Sequence, residues 1–322
     1  MDEHPTVTTA SSQVQSTYYD LPAVRAPHWR WLIIVYFFLG GIAGASSTIA
    51  ALADAVSADP RVVRAARYLA AAAFLPCPPL LILDLGRPER ALNMFRILKL
   101  KSPMSLGSWA LFFAGGFATL GAGLQLTCDL LKRDLLPGPR RLVLLAGVPF
   151  SVFLSGYTGV LLAATNIPLW WRSFPFLSPT FVGSAYSASL SAITLILRLD
   201  REDSRDTGRR LARAETICLT AELTFLTAAL VRLGAIGRPL RAGKIGLIFW
   251  PVTYVGGIVV PLLLQLSGPA RGREQSGPRR TAAAVLPLIG SFSLRAVMIF
   301  AGRESANRPE DYFEMTSRAA KG

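Results

Sequence analysis

Long runs without an ionisable residue constrain this chain more than any other feature. Trp31 to Ala53 lies between Arg30 and Asp54, Ser102 to Cys128 between Lys101 and Asp129, and Ile245 to Ala270 between Lys244 and Arg271. Leu142 to Trp171 and Ser173 to Leu197 are separated only by Arg172. A helix needs about 20 mostly apolar residues to cross the hydrocarbon of a bilayer, where every backbone polar group must be satisfied within the protein. All five runs reach that length. Three more are shorter or interrupted. Tyr68 to Leu83 contains Pro76, Pro78 and Pro79, which remove backbone donors and distort the exit of a span. Thr216 to Val231 is crossed by Glu222, and Thr281 to Leu294 extends past Arg295 to Ala301, so each spans only with an ionisable group in or near the membrane. The expectation is an all-α integral membrane protein: an eight-transmembrane-helix bundle with short loops and both termini on the same side. A polar N-terminal tail (1–27), a membrane domain (28–303) and a polar C-terminal tail (304–322) follow from the same reading.

Composition agrees. Only 17% of residues are charged, against about a quarter in soluble domains, and the mean hydropathy is +0.41. The formal charge of +14 would suggest nucleic acid in a soluble protein. Here the cations lie between apolar runs, where they meet lipid headgroups, and no nucleic-acid partner is expected. They divide evenly between the two sides of the bundle. Discounting Arg308, Arg318 and Lys321 in the tail tilts the balance toward the side opposite the N-tail being cytoplasmic. Residues 1–27 have no apolar core of the kind a secretory signal needs, so insertion is expected to start from the first span.

Cys77, Cys128 and Cys218 are far apart and form no CxxC pair, while His4 and His28 both precede the first run. These ligands build neither a zinc site, an iron–sulfur cluster nor a haem pair. No metal is expected in this chain, and any redox metal belongs to a partner.

Several motifs carry more information. Gly40, Gly41, Gly44 and Ser47 form a small-residue stripe of the kind that lets helices approach closely. Tyr36, two turns into the same span, belongs either to an interfacial aromatic belt with His28, Trp29 and Trp31 or to a ligand contact. Asp84 through Arg90 (Asp-Leu-Gly-Arg-Pro-Glu-Arg) makes a turn fixed by Gly86 and Pro88, followed by a short surface helix over 89–98 and a restart at Ser102-Pro103. Asp84 and Arg87 either pair across that turn or leave Asp84 to relay protons. Glu222, with Glu215 and Arg232 flanking it, is either an interhelical hydrogen-bonding group or part of a proton path. The charges over 198–213 and 271–280 read as solvated loops, and the 309–314 stretch as a solvated tail or a docking segment.

The Gly40-Gly41-x-x-Gly44 start, the Asp84-x-Gly86-Arg87-Pro88-x-Arg90 turn and Ser102-Pro103-Met104-Ser105-x-Gly107-x-Trp109 resemble the NrfD-type (polysulfide reductase) membrane subunits of bacterial respiratory oxidoreductases. Ser155-Gly156-Tyr157-Thr158-Gly159, Pro168-x-Trp170, and Gly256-Gly257 with Pro261 add to a likeness over most of residues 28–303. The resemblance implies a multi-pass subunit of the bacterial cytoplasmic (inner) membrane that contains no haem. It would exchange electrons between the quinone pool, menaquinone or ubiquinone, and a docked ferredoxin-like iron–sulfur subunit, with a further catalytic subunit in some complexes. A quinone needs apolar walls and a donor at each carbonyl oxygen. Tyr36 and Tyr157 are the expected headgroup donors, with Thr158, Ser105 and Trp109 nearby and His28 as an interfacial proton group. Asp84 and Glu222 are the proton-path candidates. A secondary transporter or a purely structural anchor would also use eight helices and a broken second span, although the two halves show no internal repeat of the sort common in transporters.

Overall fold

The computed structural model describes residues 29, 31–84, 89, 93, 95–133, 137–199, 204–268, 277–308 and 310–312. The N-tail, His28 and the turn residues Gly86, Arg87 and Pro88 lie outside the described residues. Among those described, eight helical segments are long and apolar enough to cross a membrane, and the chain is a multi-pass membrane protein.

The first span is α1 (Trp31–Ala55). The second is broken: α2 (Pro60–Phe74) gives way at Leu75-Pro76 to α3 (Cys77–Asp84). Pro76 ends the i→i−4 ladder, and Pro78 and Pro79 fall in the first turn of α3, where the missing N–H groups cost nothing. α2 starts at Pro60 rather than Tyr68 because Asp59 caps it, accepting the Arg61 amide at 3.0 Å. Then come α4 (Pro103–Leu131) and α5 (Pro137–Ala163). The expected continuation of this fourth span to Trp171 does not occur. The chain turns at Thr165, and Pro168, which has no amide to donate, opens a separate short helix, α6 (Pro168–Ser173). The fifth and sixth spans are α7 (Leu177–Leu199) and α8 (Arg205–Leu233). α8 begins well before Thr216, since Ser204 caps it through the Thr207 amide and its early arginines sit on the exposed face. After a 3₁₀ turn over Gly234–Gly237 come α9 (Arg238–Arg241) and α10 (Gly243–Ile248). The seventh span continues through a π-helical stretch, Phe249–Val259, into α11 (Val260–Ser267). The last is α12 (Gly277–Ala306). Of the expected surface helix over 89–98, residues 90–92 and 94 lie outside the described residues; 89, 93 and 95 are in 3₁₀ conformation, and 96–98 are not helical.

α1 is the most enclosed span and packs on α2, α3, α5, α7 and α12. Its glycines explain that position. A Cβ at residue 44 would lie 2.5 Å from the Ser151 carbonyl oxygen of α5, and one at residue 41 would lie 2.5 Å from the Arg295 guanidinium of α12. Gly257 and Gly290 form a similar backbone contact between the π-helical stretch and α12. One end of the bundle, the Asp84 face, holds the starts of α1, α4, α7 and α10 and the ends of α3, α5, α8 and α12. The other, the Asp59 face, holds the ends of α1, α4, α7 and α11 and the starts of α2, α5, α8 and α12. Just past α12, Asp311 is buried and accepts the Ser305 hydroxyl at 2.9 Å, so this part of the C-terminal segment packs on the bundle rather than standing in solvent.

Candidate functional site

On the Asp84 face, α1, α3, α4 and α5 enclose a cavity of about 230 Å³. Tyr36, Asp84, Ser108 and Tyr157 supply its polar groups. Trp29, Ile33, Phe37, Leu81, Met104 and Leu161 supply its apolar walls.

The start of α4 builds one side of it. Ser102 is the N-cap, accepting the Ser105 amide at 3.4 Å, and Pro103 takes the first helical position, where its fixed φ is preorganised. Tyr157 of α5 donates its hydroxyl hydrogen to the Pro103 carbonyl at 3.1 Å. Its ring lies directly against Gly107, where even a methyl group would overlap it. The Gly107 of the fourth helix and the Tyr157 of the fifth are therefore one structural unit. Tyr36 is buried in the facing wall, and its hydroxyl makes no hydrogen bond among the described residues. Asp84, the last residue of α3, is half-buried at the edge of the cavity.

The Pro168-x-Trp170 motif braces the same site from behind. Trp170 is fully buried, donates its indole N–H to the Met298 carbonyl at 2.7 Å and occupies the space that Gly302 leaves on α12. Trp29 stacks on it at 5.2 Å and meets Phe37 edge-on at 6.0 Å.

A second, apolar cavity of about 570 Å³ adjoins the first, with Leu81 and Ser108 bordering both. The break between α2 and α3 opens it. Phe74, Leu75, Pro78 and Ile82 line one side, and Leu111, Phe112 and Leu120 of α4 the other. Leu75, Phe112 and Leu120 are also exposed on the outer surface of the bundle, so the groove leads from the polar cavity toward lipid.

Of the quinone-site candidates, Tyr36 and Tyr157 meet at this cavity together with Asp84. Ser105 does not line it. The Ser105 hydroxyl instead accepts the Lys99 amide at 3.1 Å and reaches the Ile97 carbonyl, pinning the segment before α4. Trp109 stacks on Phe113 at 5.7 Å and packs edge-on against Phe95, away from the tyrosines. Thr158 is buried outside the cavity lining. Gly40 has nothing within 4 Å of the place a Cβ would take, so the close contacts of the glycine stripe belong to Gly41 and Gly44. Among the described residues, no group of three His, Cys, Asp or Glu side chains is arranged to hold a metal ion.

Glu222 lies elsewhere, in a buried polar network that residue patterns only hinted at. Arg295 of α12, fully buried, donates from Nε to the Phe37 carbonyl at 3.0 Å and from Nη1 to Ser291 Oγ at 2.6 Å and Ser184 Oγ at 3.4 Å. Phe181 and Phe38 flank the guanidinium at 5.4 and 6.0 Å. Glu222 accepts the Ser187 hydroxyl at 3.1 Å and interacts with Ser184 and, electrostatically, with Arg295. Two turns along α8, Glu215 accepts the Ser191 hydroxyl at 2.5 Å and the Gln265 amide at 2.7 Å. The network touches the cavity through Phe37, whose side chain lines it and whose carbonyl Arg295 engages. The sequence signal was the serine spacing in α7: Ser184, Ser187 and Ser191 recur at three and four residues, on the face that meets α8.

Comparison with known proteins places this architecture. The family model described as polysulphide reductase, NrfD, matches residues 22–305. The protein named NrfD from Escherichia coli (strain K12) is 24% identical over 315 residues, covering 85% of this chain and 95% of that protein. With most of its length matched, the chain belongs to the NrfD family, membrane subunits of quinone-interacting oxidoreductases.

Proposed function

We propose that this chain is the quinone-reactive membrane subunit of a respiratory oxidoreductase in the bacterial cytoplasmic membrane, and that its headgroup site is the cavity holding Tyr36, Tyr157 and Asp84. Subunits of this family partner with iron–sulfur oxidoreductase subunits in general. Here a docked iron–sulfur subunit would exchange electrons with the site on the Asp84 face. The observation that carries this reading is the join between two cavities: a small one with two phenols and a carboxylate, and a larger apolar groove that opens toward lipid. At about 230 Å³ the first is below the roughly 300–1,000 Å³ that encloses a whole drug-sized ligand. It is of a size for a ring, with an isoprenoid tail leaving past Leu81 and Ser108.

A bound quinone supplies two-electron, two-proton redox chemistry. The chain's own residues bind and move protons around it. The Tyr36 hydroxyl, without a hydrogen-bond partner among the described residues, donates to one carbonyl oxygen. Tyr157 does the same by turning its hydrogen away from Pro103. Asp84 offers its carboxyl at the edge of the cavity as the group that takes up or releases a proton. The apolar walls exclude water, which strengthens each of these hydrogen bonds. Glu222, Arg295 and their serine partners extend a polar route inward from Phe37, and a proton moving through the bundle would use it. Membership of this family removes the main support for a secondary transporter.

The test is the quinone content of the purified complex, measured by solvent extraction. Wild type should retain quinone, and the Tyr36→Phe, Tyr157→Phe double variant should lose most of it while remaining monodisperse. Equal retention would place the headgroup elsewhere.

A further inference from the structure

A third cavity, of about 930 Å³, opens on the Asp59 face, where α1 and α4 end and α2 and α5 begin. Its charge is unusual. One wall, formed by α2, carries Arg61, Arg64 and Arg67. The opposite wall, from the end of α4 and the start of α5, carries Lys132, Arg133, Arg140 and Arg141. Asp54 and Asp129 are the acidic residues among the described lining, and both are engaged in holding the walls. Asp54 pairs with Arg67 Nη2 at 3.0 Å. Asp129 accepts the Tyr68 hydroxyl at 2.5 Å and the Gln125 amide at 2.8 Å, and Arg64 Nε lies 3.0 Å from it.

Seven cations against two carboxylates leave the concavity strongly positive, and a predominantly basic site with low-dielectric walls concentrates counter-ions. The surroundings indicate which kind. Leu126 and Leu130 on α4, and Leu142 and Leu145 on α5, are exposed within a turn or so of residues that line the cavity. An anion held there is thus next to an outward-facing aliphatic surface. Basic pockets between helices at a membrane surface are suited to acidic lipid headgroups.

We propose that this cavity is a binding site for an anionic phospholipid, its headgroup between the two basic walls and its acyl chains along the exposed leucines. The two walls favour a headgroup with two phosphates, one for each. The site lies at the end of the bundle away from Tyr36 and Tyr157, so its fate is independent of the quinone reading.

The full chain, purified in detergent and stripped of lipid, should be titrated with cardiolipin, phosphatidylglycerol and phosphatidylcholine and read by native mass spectrometry. Sodium pyrophosphate serves as the free-anion competitor. Wild type should retain cardiolipin on the order of tenfold or more over phosphatidylcholine. The K132Q/R133Q/R140Q variant should lose that preference, and R209Q/R210Q, exposed on the same face outside the cavity, should keep it. Equal retention of cardiolipin and phosphatidylcholine by wild type would overturn the proposal. So would displacement of cardiolipin by pyrophosphate at comparable concentration, which would assign the cavity to a soluble anion. If the triple variant fails to fold, the wild-type lipid ranking and the pyrophosphate competition decide alone.

Discussion

Tyr157 reaches the Pro103 carbonyl only because residue 107 has no side chain to keep its ring off α4. Gly107→Ala should therefore move the phenol out of the cavity. Overpacking of this kind costs about 1–3 kcal/mol, so the chain should still fold, while quinol oxidation falls about tenfold or more; steady-state assay with a thermal melt separates the two. Glu222→Gln keeps an acceptor for Ser187 and should leave the melting temperature nearly unchanged. It removes the exchangeable proton, so quinol turnover in proteoliposomes should drop several-fold if the buried network carries protons, and stay level if Glu222 only joins α7 to α8. The residues at the cavity also show how far side-chain identity could be read in advance. Tyr36 and Tyr157 were legible as hydroxyls at matching depth. Ser105 and Trp109, four apart, share one face of α4, whereas Met104 and Ser108, also four apart, share the face about 100° away that actually lines the cavity. Thr158 misses for the same reason beside Tyr157 and Leu161. Depth follows from residue number, but rotation about the helix axis depends on neighbours that a single sequence does not disclose.

At the level of elements, the Asp59 cap shows what fixed the helix boundaries. Partial burial would raise its carboxyl pKa, but the Thr207 hydroxyl at 2.6 Å, the Arg61 amide and the Arg61 charge outweigh that and hold it below the ordinary carboxylate value. A carboxyl with a lowered folded-state pKa contributes its stability above the unfolded value of about 3.9 and loses it as pH falls through the lower folded value. Asp59→Ala should thus cost about 1 kcal/mol at neutral pH, and the gap in melting temperature from wild type should close on acidification below pH 4. A gap that persists at low pH would mean that the charged carboxylate is not what stabilises the cap. Gly44→Val should be far more damaging, since its side chain would strike the backbone of α5; the measurement is the monodisperse fraction after solubilisation. The eight spans were readable because charge-free length is a direct physical requirement of lipid. Their ends were not, because α2, α8 and α12 extend arginine-bearing turns beyond the apolar runs, and capping rather than hydropathy sets where a helix starts. The end of α5 needed Pro168 to be read as a start instead of a continuation.

For the whole molecule, the basic surplus divides into distinct uses. Arg67 and Arg295 are both buried inside the bundle rather than lying in loops. Arg295 ties α1, α7 and α12 together behind the polar cavity, and Arg67 belongs to the basic cavity on the other face. The two ends of the bundle thus differ in their cavities: phenols and a carboxylate beside an apolar groove at one end, a basic concavity at the other. That division was not visible in the net charge: Arg295 stood out because it interrupts an apolar run, but Arg67 can be told from loop arginines only by what surrounds it. The central claim is that Tyr36 and Tyr157 hold the reacting quinone. Its most direct test is quinol oxidation by the complex purified with its partner subunits, comparing wild type with the Tyr36→Phe, Tyr157→Phe double variant. We expect kcat/KM to fall at least about tenfold, equivalent to about 1.4 kcal/mol of lost transition-state stabilisation. Unchanged kcat/KM in a correctly assembled double variant would contradict the site.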